Sequence, residues 1–154
     1  MTLFTKKPPR GIEIPHLIMA AHEIGHVIVF QEAGVKVHRC EISLNGDVDG
    51  GTWADDPASG QHHAFLVGIM AGKAGEALWC DTYGQRLPSH CRDGSSYAGD
   101  RALFTAHQRK NREARGLSWR KADRLARVIL RAELKRFRKL TAQLARHGEI
   151  DFER

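Results

Sequence analysis

Residues 22–26 read His-Glu-Ile-Gly-His, two histidines four positions apart with a glutamate beside the first. On a helix, positions i and i+4 share a face, so both imidazoles reach one metal ion while Glu23, about 100° round the helix, faces a water held there. This is the chemistry of zinc-dependent hydrolysis. Zinc with three protein ligands and one open position lowers the pKa of its water to about 7, and an adjacent carboxylate takes the proton. At this chain's content of His and Glu, chance supplies only about 0.03 such pentapeptides. Without a metal, two imidazoles and a carboxylate among Ile18, Ile24, Val27 and Ile28 would each need a hydrogen-bond partner. His22 and His26 are therefore the expected metal ligands and Glu23 the catalytic base.

A third ligand is required, and spacing does not choose it. Asp100, Glu76, Asp93, His62, His63, His90 and Cys91 are all available. Glu76, an acid inside an apolar segment, has two readings: it orients a ligating histidine, or it pairs with Lys73 on the surface. His62-His63 at a loop-to-helix junction is assigned no role, and Cys80 and Cys91 read as inert thiols rather than ligands.

The motif needs elements to hold it. Pro15 to Glu32 reads as a buried helix, apolar on most faces and stopped by Gly34. Val37 to Leu44 alternates as a strand, Asn45-Gly46 is a tight turn, and the Gly-rich stretch to Trp53 is a second strand. Asp55 to Gly60 is loop, Gln61 to Cys80 a single helix closing before Gly84, and Gln85 to Ser96 loop again. A third helix is expected from about Ala98 to Arg112. The last is expected to run unbroken from the Ser118 cap to the Gly148 stop, with Ala122, Ala126, Ile129, Leu130, Leu134, Phe137, Leu140 and Leu144 on one stripe. The predicted fold is α+β and mainly helical: a zincin-like HExxH helix, a small antiparallel hairpin and a long C-terminal helix. One domain over residues 1–154 is expected, with 1–14 as an N-terminal extension.

The string Ala-Ala-His-Glu-Ile-Gly-His-Val-Ile-Val resembles the zinc helix of the FtsH-type ATP-dependent proteases, and the likeness continues in order from residue 16 to 151. Val37-His38-Arg39 through Leu44 and on to Gly51-Thr52 is similar to that family's strand pair. Ala71-Gly72-Lys73-Ala74-Gly75-Glu76-Ala77-Leu78 resembles its next helix, with Glu76 at the place of a family acid. Ser95 to Asp100, Ala106 and Gly116-Leu117-Ser118 resemble the stretch that carries its aspartate ligand. The resemblance implies His22, His26 and Asp100 as zinc ligands, Glu23 as base, and peptide-bond hydrolysis as the reaction. It also has departures. The family's ATPase module and membrane anchor have no counterpart in the sequence, which is therefore read as a stand-alone peptidase. The connection before the last helix is shorter, and Ser96 and Arg101 replace a usual glycine and leucine. The strand Gly50, Gly51, Thr52, Trp53 is the candidate edge to which an extended substrate adds, its glycines allowing close backbone approach. Trp53 itself reads either as cleft lining or as core.

Composition bounds the rest. The chain has 154 residues, 42% hydrophobic and 27% charged, with net charge +6 and mean hydropathy -0.43, enough for one core. The apolar run from Leu17 to Phe30 is broken by His22, Glu23 and His26, so no membrane span is expected. Residues 1–16 lack the apolar segment of a secretory signal. Three cysteines without CxxC spacing argue against a disulfide framework and a thiolate zinc knuckle, and a cytoplasmic setting is expected. From Arg109 to His147 there are 14 Lys and Arg against 3 Asp and Glu, so this end is strongly basic while the remainder is mildly acidic. The expected partners are a protein or peptide substrate, with an ATPase acting in trans and a second copy of the chain left open; nucleic acid is not favoured. Two rival readings stand: an HExxH protease associated with nucleic acid, and a non-catalytic module that keeps zinc for structure.

Overall fold

The first helix, α1 (Ile14–Glu32), is the axis of the molecule, and Leu17 through Phe30 are all buried. The computed structural model describes residues 6–45 and 49–154. Pro15 sits in the first turn of α1, where its missing N–H has no helical partner to lose. At the other end Gly34, at φ 75°, turns the chain so that Val35 N–H reaches Phe30 O at 2.9 Å and Gly34 N–H reaches Gln31 O at 3.0 Å. These are the paired bonds of a Schellman stop.

β1 (Val37–Ile42) and β2 (Gly50–Ala54) then form an antiparallel pair, with Cys40 opposite Thr52 and a bulge between Val37 and Arg39. β1 ends two residues before the expected Leu44. The Asn45-Gly46 turn includes residue 46, which lies outside the described residues. α2 (His62–Ile69) and α3 (Ala71–Tyr83) follow, then the short α4 (Ser89–Arg92), a 3-10 turn at Ser95–Tyr97, and α5 (Ala98–Lys110). The chain ends with α6 (Trp119–Ala132), α7 (Leu134–His147) and β3 (Glu149–Asp151). β3 pairs with β1, so the sheet order is β2-β1-β3, all antiparallel, and β2 is an edge. The fold is α+β and mainly helical, as the sequence predicts, and the buried apolar residues form one cluster. Among the described residues, no helix is long and apolar enough to cross a membrane.

Three expectations need correction, and one strand adds to them. The single helix predicted over 61–80 is two helices, bent at Met70. Gly68 and Gly72 flank that bend and weaken a continuous helix there. Gly68 O is among the last carbonyls of α2 and accepts a backbone N–H at the cap. The single basic helix is likewise two, bent at Glu133, because α6 packs on α3 and α2 whereas α7 packs on α1. The expected loop at 85–96 contains α4, which buries Cys91. β3 was not foreseen: three residues with one buried side chain, Ile150, are too short to show alternation.

The crossing of α1 and α3 sets the geometry of the site. A Cβ on Gly25 would lie 2.3 Å from Ala71 O, and one on Gly75 would lie 2.2 Å from Ala21 O. The two helices are thus in backbone contact, and only glycine fits at either position.

Candidate metal centre

His22 and His26 rise one turn apart from α1, as their spacing predicts, with Nε2 atoms 3.1 Å apart. Asp100 enters from the first turn of α5 and places Oδ2 3.2 Å from His22 Nε2 and 3.4 Å from His26 Nε2. Zinc–nitrogen bonds of about 2.0–2.1 Å in a tetrahedron require donor separations of about 3.3–3.4 Å. The three edges found here match one face of such a tetrahedron. Among the described residues, these are the only three His, Cys, Asp or Glu side chains grouped closely enough to share an ion.

The remaining nitrogens fix the direction of the lone pairs. His22 Nδ1 donates to Glu76 Oε1 at 2.6 Å, and His26 Nδ1 donates to Gly68 O at 2.8 Å, a carbonyl in the last turn of α2. With both protons on Nδ1, both Nε2 lone pairs face the common point. Asp100 Oδ2 faces it as well, buried and without a hydrogen-bond partner despite its short distances to both rings. Three converging electron pairs in a buried place repel one another unless a positive charge, a proton or a metal ion, lies between them. Gly72 keeps the place clear: a Cβ there would sit 2.4 Å from His22 Nε2 and 2.6 Å from His26 Nε2.

Electrostatics point the same way. Burial opposes charge on His22, yet its contacts with Asp100 and Glu76 outweigh burial and carry its pKa up to about 10. His26 is also raised, burial again being overcome by Asp100. Burial would raise the Asp100 carboxyl, but the two imidazoles hold it well below the usual carboxylate range. The cluster is therefore built around positive charge, which fits a divalent cation.

Glu23 lies on the neighbouring face of α1, where Thr52 Oγ1 donates to its Oε2 at 2.7 Å. Gly50 also approaches it, since a Cβ there would be 2.9 Å from Glu23 Oε1. The edge strand β2 thus runs directly beside Glu23. A cleft of about 1160 Å³ opens there, reached by His22, Glu23, His26 and Asp100 and bordered by Gly50, Gly51 and Thr52. Trp53 turns the other way: its ring covers Gly51 and stacks under Arg39 at 4.3 Å, 40% exposed. Alternation along the strand puts Thr52 inward and Trp53 outward, so the tryptophan neither lines this cleft nor joins the core.

The other residues considered for the third ligand go elsewhere. Glu76 bonds His22 and accepts from Ser96 Oγ at 3.0 Å. Lys73 pairs not with Glu76 but with Asp123 of α6, at 3.3 Å. Asp93 accepts from Ser95 N–H at 2.9 Å, and His63 donates to Arg115 O at 2.9 Å. His62 contacts His107, and His90 lies on the cleft border. Burial pushes the Cys40, Cys80 and Cys91 thiols up to about 12, 11 and 12, which keeps them protonated and poor as ligands.

Sequence reasoning missed four supporting groups: Thr52 as the partner of Glu23, Ser96 as the partner of Glu76, the Gly68 carbonyl and the Gly72 gap. Only the glycines carried a signal, because a glycine inside a helix implies a packing reason. Ser96, which departs from the family pattern, ties the turn before α5 to Glu76 and so links Asp100 with His22. Compared with models of known protein families and with curated protein sequences, the chain has no match in either. The likeness to the FtsH-type peptidases rests on these residues and their order.

Proposed function

We propose that the protein is a zinc-dependent metallopeptidase of the FtsH type, hydrolysing unstructured or partner-delivered protein segments in the cytoplasm. The observation that carries this reading is the convergence of His22 Nε2, His26 Nε2 and Asp100 Oδ2 beside a carboxylate and a free strand edge. His22, His26 and Asp100 would hold the ion, with Glu76 and the Gly68 carbonyl fixing the two rings. Zinc bound there would polarise a carbonyl and bring the pKa of a water to about 7. Glu23 takes the water's proton and returns it to the leaving amine, held for both transfers by Thr52. The edge of β2 gives backbone hydrogen bonds to an extended peptide, and Gly50 and Gly51 allow its close approach. Delivery by an ATPase in trans or by a second copy of the chain is compatible with this site.

The basic end gives less support to a nucleic-acid role. Arg127 is engaged by Asp123, Arg136 by Glu32 and Glu133, Arg138 by Tyr83, and Arg120 by Trp119.

Digestion of casein by the zinc-loaded protein and by Glu23→Gln tests the reading. Glu23→Gln should bind about one zinc and lose hydrolysis, since an amide of the same size cannot accept the proton. Equal cleavage by both removes Glu23 from the mechanism. A zinc-loaded protein that cleaves no unfolded chain favours the structural-zinc alternative.

A further inference from the structure

A second pair of imidazoles stands on the wall of the same cleft. His62, the first residue of α2, and His107, in the last turn of α5, bring Nδ1 and Nε2 to 3.0 Å. The two Nε2 atoms of the primary cluster are 3.1 Å apart on one helix; here two helices bring the nitrogens together. Both rings are part-buried, and both border the cleft. The pair is connected to the primary site through ring contacts: His107 to Phe65 at 4.9 Å, Phe65 to Phe30 at 5.1 Å, and Phe30 to His26 at 6.1 Å between centroids.

Carboxylates flank the pair. Glu113 Oε2 is 3.8 Å from His62 Nε2 and accepts from Gly60 N–H at 3.0 Å, while Ser59 Oγ donates to Glu113 Oε1 at 3.1 Å. Asp56 also borders the cleft, and its charge acts on His107. Neutral imidazole is a good ligand for zinc, nickel and copper, and a shared ion would replace the proton of the hydrogen bond between the two rings, with the Asn111 amide beside His107 Nδ1 turning to accept from it. Burial and the neighbouring His62 hold His107 below the usual histidine range, keeping it neutral at pH 7.

We propose that His62 and His107 form a second, weaker site for a divalent transition metal, clamping α5 to α2 across the cleft wall. It is weaker because it offers two imidazoles in place of three converging donors. An ion there ties the helix that carries Asp100 to the helix whose Gly68 carbonyl orients His26. Phe65, Leu103 and Ala106 border the cleft on these same two helices, so the ion sits on the cleft wall. A change in hydrolysis at excess zinc is the expected consequence and rests on the peptidase reading; the metal site itself does not.

The test uses Zn²⁺ alone, by equilibrium dialysis and elemental analysis at pH 7.5. The unaltered protein should hold two equivalents, one resisting a mild chelator and one lost to it. His62→Gln and His107→Gln should each hold only the resistant equivalent, and the doubly substituted His22→Ala, His26→Ala protein only the labile one. A single equivalent in the unaltered protein overturns the proposal. So does a labile equivalent that persists in both His62→Gln and His107→Gln, which would place it on a surface histidine such as His90 or His147. Should a variant fail to fold, labelling of the unaltered protein by diethyl pyrocarbonate replaces it. Zinc beyond the first equivalent should protect His62 and His107 and leave His147 reactive; equal labelling overturns the proposal. Failure of the peptidase reading shows separately, in casein cleavage by Glu23→Gln.

Discussion

Gly72→Ala adds one methyl group at the point toward which the histidines converge. Its Cβ would lie 2.4 Å from His22 Nε2 and 2.6 Å from His26 Nε2, whereas ordinary contact begins near 3.4 Å. The rings must therefore withdraw by about 1 Å, several times the tolerance of about 0.2 Å for a zinc ligand. They have little room to do so, because Glu76 holds His22 at 2.6 Å and Gly68 O holds His26 at 2.8 Å. Zinc affinity should fall by more than the roughly 10–100-fold typical of losing one orienting partner. Overpacking should also lower stability by about 1–3 kcal/mol. Chelator competition gives the affinity and thermal unfolding of the metal-free protein the stability. Gly99→Ala is the control, since a Cβ there meets nothing within 4 Å and replacing a helical glycine should leave stability unchanged or raise it by up to about 1 kcal/mol. If Gly72→Ala binds zinc within threefold of the unaltered protein, the two imidazoles do not meet where the structure puts them, and the argument fails.

Three further outcomes are expected. Asp100→Ala should lose zinc to a chelator far sooner than Asp93→Ala, with Glu76→Gln between them at about 10–100-fold weaker binding; Asp93→Ala ranking first would remove Asp100 from the ligand set. Stability should depend on pH through His38, whose pKa is raised above 6.5 by Asp55 and Glu153, and through Glu153, lowered below 4.5 by His38 and Lys36. A raised group stabilises below its unfolded value and a lowered one above it. The tie between β1 and the C-terminus is therefore complete from about pH 4.5 to 6.5, weakens as pH rises through the folded pKa of His38, and weakens as pH falls through that of Glu153. His38→Gln should flatten the decline in melting temperature above pH 6.5, and an unchanged slope would show that the tie carries no linkage. Finally, random-sequence duplex DNA should not bind with submicromolar affinity at physiological salt in fluorescence anisotropy. Tight binding with a steep salt slope would promote the nucleic-acid-associated protease.

What the sequence determined by itself was local. The i, i+4 spacing of His22 and His26 places both rings on one face of any helix, and the apolar residues around them require that helix to be buried. Gly34, Gly84 and Gly148 mark chain reversals because each takes a positive φ that other residues rarely adopt. The alternation of β1 and the stripe of α6 and α7 were legible for the same reason: a period is written in neighbouring residues. The choice of Asp100 was not legible from spacing. It lies 74 positions beyond His26 in sequence, and only the docking of α5 brings its carboxylate to the two rings, so resemblance alone selected it. The bends at Met70 and Glu133 also belong to tertiary structure, since each helix half follows a different packing partner and local propensity does not encode which. Thr52 and Ser96 gained their roles in the same way, as ordinary hydroxyls until folding set one beside Glu23 and the other beside Glu76. A covalent chain fixes periods and turn positions through its nearest neighbours, whereas the contacts that orient a ligand come from segments that meet only after the core has closed.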